Sequence, residues 1–192
     1  DDLHSPRGST AQAYEWKLKR VIDPVGNTIE FSYVSCTDGA AVRTGEHVLS
    51  EIRYTANADA GVAAAFVARF IYSPDAATAG AVAQRPDPFR GFLGGYGLEA
   101  IRQLIRIEVG AVDASSVEVM AQYETTYETS PITGLSRLHS VTRSARKTAE
   151  SPWATDPAVV CSYGRPGSDG AVGSPLLTST AVSAASAIAQ GG

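Results

Sequence analysis

Trp16-Lys-Leu-Lys-Arg-Val-Ile-Asp23-Pro24-Val-Gly26-Asn27-Thr-Ile29-Glu-Phe31-Ser-Tyr33 is the stretch that decides the fold. Ile29, Phe31 and Tyr33 alternate with Thr28, Glu30 and Ser32, the period of a strand with one covered and one wetted face. Ahead of them comes a reversal signal. Pro24 presets a turn φ, and Gly26 and Asn27 tolerate the positive φ that other residues resist. Two antiparallel strands at 14–22 and 28–34, joined through Asp23, Pro24, Gly26 and Asn27, follow from that chemistry. Asp23 opens the turn, where a carboxylate ordinarily caps its own backbone.

The same period recurs downstream. Phe66, Ala68, Phe70 and Tyr72 form one apolar row, and Val117, Val119, Ala121, Tyr123, Thr125 and Tyr127 form another, alternating with Glu118, Gln122, Glu124 and Glu128. Residues 98–109 are ambiguous: Leu98, Ile101 and Ile105 suit a helix, whereas Ile105, Ile107 and Val109 suit a strand, which is favoured from Leu104 onward. Four segments carry Leu-x-x-Ile/Val, at Leu18–Val21, Leu49–Ile52, Leu104–Ile107 and Leu138–Val141. Each precedes a strand that ends in tyrosine, at Tyr33, Tyr72, Tyr127 and Tyr163. Four β-hairpins laid side by side are the simplest account, because one hairpin alone does not stay folded in water. The expected fold class is therefore all-β: antiparallel hairpin repeats forming an extended, twisted sheet. Gly, Ala, Asp and Pro-rich links are expected at 35–46, 56–61 and 74–97.

Composition sets the bounds. The 192 residues include 30 alanines but only 41 Leu, Ile, Val and Phe, so the core of this single domain should be thin. Residues 1–13 read as a lead-in, 14–166 as the hairpin module and 167–192 as a Gly, Ala and Ser-rich tail or linker to a further domain, with a possible strand at 176–182. A formal charge of −4 offers no field to attract nucleic acid or anionic lipid, and no apolar run approaches the length of a membrane span. His4, His47 and His139 stand apart from any Cys or carboxylate at ligand spacing, so neither a metal nor another cofactor is expected. Nothing in the spacing of Cys36 and Cys161 asks for a disulfide, and two free thiols are expected.

The run Trp16-x-Leu18-x-x-Val21-x-Asp23-x-x-Gly26-Asn27-x-Ile29-x-Phe31-x-Tyr33 resembles the Rhs/YD-repeat hairpin, in particular that of SpvB/TcB-type proteins, the B components of bacterial insecticidal toxin complexes. Three later pieces agree in order. They are Leu49-Ser-Glu-Ile-Arg-Tyr54; Arg85-x-Asp87-x-Phe89-Arg90-Gly91-Phe92 followed by Arg102-x-Leu104-x-x-Ile107; and Ser136-Arg137-Leu138-x-Ser140-Val141. The resemblance implies a scaffold, with hairpins spiralling into a hollow shell wall and toxic activity held on a separate segment. It also implies a secreted or surface protein whose partners are other segments of one long polypeptide or a toxin-complex subunit. The calcium loop Asp-x-Asn-x-Asp-Gly of the propellers that often accompany such shells is absent, and the links at 60–65 and 76–83 are richer in alanine.

Catalytic readings are weak. Glu124 and Glu128 lie four apart on a strand, on the side of Glu118, as a wetted face would. His139 beside Ser136 and Ser140, with Asp156 nearby, carries no nucleophile elbow, and strand residues two apart point the same way rather than toward one another. The remaining candidates are Arg85, Asp87, Phe89, Arg90, Phe92 and Tyr96, aromatics and charged residues in a Gly-rich loop. Such a loop stacks on a sugar or anchors in a partner's pocket, or else its rings roof the thin sheet. The expectation is a non-enzymatic structural module. A carbohydrate-binding or adhesive module using the 85–96 loop is the alternative.

Overall fold

In the computed structural model, residues 15–37, 43–73, 85–93, 96–113, 116–163 and 177–179 are described; Cys36, Thr37, Arg43, Thr44, Leu93, Tyr96 and 177–179 are placed by their backbones alone. They form β1 (Arg20–Ile22), β2 (Asn27–Thr37), β3 (Arg43–Asn57), β4 (Phe66–Ser73), β5 (Phe89–Leu93), β6 (Tyr96–Ala100), β7 (Gln103–Asp113), β8 (Ser116–Thr129), β9 (Ser136–Ala145), β10 (Ala154–Thr155), β11 (Val159–Tyr163) and β12 (Leu177–Ser179). Among the described residues there is no helix, hence none long and apolar enough to cross a membrane.

An antiparallel sheet of ten strands runs β1-β2-β3-β4-β7-β8-β9-β11-β12, with β10 alongside β9. Consecutive strands pair, except that β10 and β11 both pair with β9 and that β5 and β6 pair as a separate ribbon inserted between β4 and β7. The four expected hairpins are thus β1–β2, β3–β4, β7–β8 and β9–β11, side by side in order. Beyond them, β12 adds to β11.

The Leu-x-x-Ile/Val spacing has a physical cause. In an unbroken strand, residues three apart point to opposite faces. Here the register slips by one residue between Ser32 and Tyr33, between Ile71 and Tyr72, and between Thr126 and Tyr127, leaving Ser50, Ile105 and His139 as the extra residues of three β-bulges. Each extra residue directly follows the leucine. The bulge returns the leucine to the face of the Ile or Val: Leu49 opposes Tyr33 and Ile52 opposes Phe31; Leu104 opposes Tyr72 and Ile107 opposes Phe70; Leu138 opposes Tyr127 and Val141 opposes Thr125. Bulges also sharpen local twist, which suits an extended sheet.

The tyrosines close each unit. The hydroxyl of Tyr33 donates to the Leu18 carbonyl at 3.1 Å, that of Tyr127 to the Leu104 carbonyl at 2.7 Å, and that of Tyr163 to the Leu138 carbonyl at 2.5 Å. A cation just before the leucine lies over the same ring in two units, Lys17 over Tyr33 at 5.6 Å and Arg137 over Tyr163 at 4.2 Å. Tyr33, Tyr127 and Tyr163 thus bond back to the leucines of their own units, and these three and Tyr72 all face the leucine of the next unit. Tyr163 opposite Leu177 continues the series.

Several boundaries and faces differ from the sequence expectation. The first strand runs only Arg20–Ile22, not 14–22; residues 15–19 are not strand, although the Lys19 carbonyl still accepts from the Phe31 amide at 2.8 Å, and Tyr14 lies outside the described residues. Strands absorb much of the expected links, since β2 reaches Thr37, β3 spans Arg43–Asn57 and the 74–97 stretch contains β5. Residues 98–100 belong to β6 and a strand resumes at Gln103, so the helical spacing of Leu98, Ile101 and Ile105 is coincidental. A further bulge at Met120 splits the expected row on β8. Val117 and Val119 face one side, while Ala121, Tyr123, Thr125 and Tyr127 face the other; Glu118 is likewise separated from Glu124 and Glu128. Gly110 permits this bulge, because a Cβ there would sit 2.3 Å from the Glu118 carbonyl oxygen.

Only Val67 and Ile101 are fully buried apolar side chains among the described residues, so the core is as thin as the composition suggests. A single sheet layer leaves both faces half-covered. One face carries Phe31, Ile52, Ala68, Phe70, Ile107, Val109 and Tyr123 in lateral register. The other is wetted and laced by ion pairs, with Glu51 holding Arg53 at 2.5 Å and Arg69 at 3.3 Å, and Arg106 meeting Glu108 at 2.9 Å. Ser140 and Ser144, both buried, satisfy their hydroxyls with Thr126 at 2.7 Å and Thr155 at 2.9 Å.

Candidate functional site

The 85–96 candidates fall on the inserted ribbon and its approach. Alternation along β5 puts Phe89 and Gly91 on one face and Arg90 and Phe92 on the other, because the β5–β6 register is continuous from Phe89 opposite Ala100 to Leu93 opposite Tyr96. The two rings therefore do not form one stacking platform. Neither do they roof the sheet: Phe89 is 68% exposed and Phe92 84%. Each lies over a glycine, Phe89 with ring carbon 3.2 Å from where a Cβ of Gly91 would be and Phe92 with ring carbon 3.8 Å from that of Gly97. On the face of Phe92, Arg90 reaches across to Glu99 at 2.7 Å. For Tyr96 only the backbone is described, opposite Leu93.

Arg85 and Asp87 serve the approach rather than the ribbon tip. The guanidinium of Arg85 donates to both Asp87 oxygens at 3.2 Å, and the same carboxylate accepts from the Ser136 amide at 2.7 Å and the Ser136 hydroxyl at 2.6 Å. Burial pushes the Asp87 carboxyl up, but the hydrogen bonds from Arg85 and Ser136, with the charge of Arg85, outweigh it and hold the pKa at about 2. On the other side, Glu46 of β3 accepts from the amides of Ile101 and Arg102 at 3.0 and 3.3 Å, and the Arg85 amide donates to the Ile101 carbonyl at 3.0 Å. Leu98 occupies the space a Cβ on Gly45 would need, 2.6 Å away, and Gly45 takes φ +77°. The base of the ribbon is thus moored on both sides, to β3 through the residues that follow β6 and to the start of β9 through those that precede β5, and Ile101 in that base is fully buried. Sequence reasoning missed Glu46 and Ser136 as moorings; an acid at a strand start and a serine after a Gly-Leu turn carry no distinctive signal.

The opening turn forms as expected. Asp23 accepts from the Val25 and Asn27 amides, each at 2.9 Å, and from the Asn27 side chain at 2.7 Å. These bonds, the Asn27 side chain foremost, hold its carboxyl below the usual carboxylate range. Pro24 and Gly26 complete the turn, Gly26 with φ +83° and its amide 3.1 Å from the Asp23 carbonyl. A second turn braces it, as Asn57 donates to the Val25 carbonyl at 3.0 Å and the Ala58 amide to that of Gly26 at 2.9 Å.

The residues of the hydrolytic reading are committed elsewhere. Ser136 bonds Asp87, Ser140 bonds Thr126, Asp156 meets Arg143 at 2.7 Å and His139 meets Glu128 at 3.3 Å. Glu128 also holds Arg137 at 2.6 Å. Among the described residues, no group of three or more His, Cys, Asp or Glu is placed to hold a metal ion. Cys161 is a free thiol on β11. The Cys36 side chain and His4 lie outside the described residues.

No family model matches the sequence, and no curated protein matches it. Solved structures do. The crystal structure of TcdB2-TccC3 superposes with a TM-score of 0.62 at 17% identity over 83% of this chain, and the Tc holotoxin pore of Photorhabdus luminescens with 0.63 at 18% over 83%. The N-terminal domain of the effector protein SpvB from Salmonella typhimurium strain LT2 gives 0.58 at 20% over 76%. This chain spans 9% of the length of each of the first two and 55% of the third. The all-β hairpin-repeat fold is therefore shared with components of these toxins.

Proposed function

We propose that the chain is a stretch of wall in an Rhs/SpvB-like toxin-delivery or encapsulation protein, structural rather than catalytic, working in a secreted or surface setting. The observation that carries this reading is the single-layered sheet with two fully buried apolar side chains among the described residues. A layer with both faces half-covered and hairpins locked only to their neighbours suits a curved partition better than a free-standing domain. The fold likeness to toxin-complex structures many times longer supports the same reading. Its partners are then other segments of one polypeptide or a toxin-complex subunit. The opposed faces of Phe89 and Phe92 favour protein contact over the sugar-stacking alternative, which needs rings on one side.

Electron microscopy of the whole natural gene product tests the proposal. A hollow particle whose wall includes this sheet is the expected result; a solid globular particle overturns it. A glycan array on the same protein should show no binding, and specific sugar binding lost on Phe92→Ser would favour the adhesive reading.

A further inference from the structure

Leu18 breaks a series the rest of the sheet keeps. Leu49, Leu104, Leu138 and Leu177 each stand directly opposite a tyrosine of the preceding hairpin, Tyr33, Tyr72, Tyr127 and Tyr163 respectively. Leu18 opens the first unit in the same way, with its carbonyl bonded by Tyr33, yet no tyrosine-bearing strand faces it among the described residues. The exposure agrees. Leu18 is 53% exposed and Val21 43%, whereas Leu49, Ile52, Leu104, Ile107, Leu138 and Val141 at the same positions of interior units are half-buried.

We infer that the β1 edge is a docking site for an extended strand that ends in tyrosine and seats that ring on Leu18. The position two residues earlier, filled by Phe31, Phe70 or Thr125 in this chain, would oppose Val21. Backbone pairing along β1 supplies affinity, and the tyrosine supplies register, as in other cases where an extended segment adds to a sheet edge. A second copy of this chain is the poorer occupant, because the opposite edge of the sheet among the described residues is β12, Leu177–Ser179, and the sequence has no tyrosine after Tyr163. The strand comes from elsewhere in the longer polypeptide; that assignment of source rests on the wall reading, while the chemistry of the strand does not.

The experiment adds a labelled peptide with the sequence of β8, Ser116–Thr129, to the 192-residue chain and follows fluorescence anisotropy together with backbone hydrogen exchange. Binding with protection confined to residues 18–22 is expected, weakened about tenfold by Tyr127→Ser in the peptide and equally by Leu18→Ser in the chain. The peptide variant has no fold to lose, and Leu18 is exposed, so neither loss is an unfolding artefact. Absent binding, protection on β5 or β12 instead, or unchanged affinity for both variants would overturn the inference. A gene product without a hollow wall that still binds the peptide would end the wall reading alone.

Discussion

The Tyr127 hydroxyl and the Leu104 carbonyl, 23 residues apart in sequence, meet at 2.7 Å across β7 and β8, and the Thr125 hydroxyl shares the same carbonyl at 2.6 Å. The bond pins the end of one hairpin to its own beginning. Tyr127→Phe should lower stability by about 1 kcal/mol, the net worth of one hydrogen bond. Adding Thr125→Val should cost more than the two single losses together, because the carbonyl then has neither hydroxyl. Urea denaturation of the four proteins measures this, and strict additivity would show that the carbonyl does not depend on the pair.

The opening turn gives a second test. Gly26 holds φ +83°, and a Cβ there would lie 2.6 Å from an Asp59 carboxylate oxygen. Gly26→Val should destabilise by about 3 kcal/mol, combining a left-handed β-branched residue with that clash. Gly61→Ala is the control, with φ +65° but nothing within 4 Å of its Cβ, and should cost only about 1 kcal/mol. Equal losses in thermal melts would mean that the contact with Asp59 is immaterial.

Asp87 makes the ribbon mooring sensitive to acid. Its folded pKa, about 2, lies below the ordinary 3.8, so its contribution is complete above pH 3.8 and disappears as the pH falls toward 2. After allowance for solvent screening, that contribution is about 1 kcal/mol. Asp87→Asn should speed amide exchange in β5 and β6 at pH 7, and its stability deficit against the parent should shrink by pH 2. A deficit that persisted undiminished at pH 2 would locate the effect outside the carboxylate.

Thiol chemistry offers a simpler check. Titration of the unfolded chain without reductant should find two free groups, Cys36 and Cys161. Finding none would establish a disulfide that the spacing does not call for.

Much of the sheet was legible because alternation and turn chemistry are local. The Asp23-to-Asn27 reversal and the alternation that marks each strand follow from residues within a few positions of one another, and the four Leu-to-Tyr units and their order from the recurrence of that pattern. Bulges were less so. Three of them lie within Leu-x-x-Ile/Val segments, whose spacing marks a repeat without marking a bulge, while Met120 carries no such pattern and only Gly110 on the facing strand makes its bulge possible. The ribbon resisted reading for a different reason. Its strands are five residues each with glycines inside, so loop composition concealed pairing, and its moorings join residues 49 and 55 positions apart that nothing in the sequence relates. Arg85 and Asp87 stand out in the sequence for their charge and in the fold are anchors, whereas Phe89 and Phe92 stay on the surface.

Because a tyrosine faces the next leucine at every junction between units, the number of residues between the two is free to vary. Those intervals behave as sockets. From Tyr127 to Leu138 the chain makes a plain turn, and from Tyr72 to Leu104 it carries the entire β5–β6 ribbon, yet the flanking strands pair in the same alignment in both places. Ornament can therefore be fitted, lengthened or exchanged at such points without recutting the panel that bears it, and a lineage of these proteins could diversify what its surface displays while leaving the supporting lattice untouched.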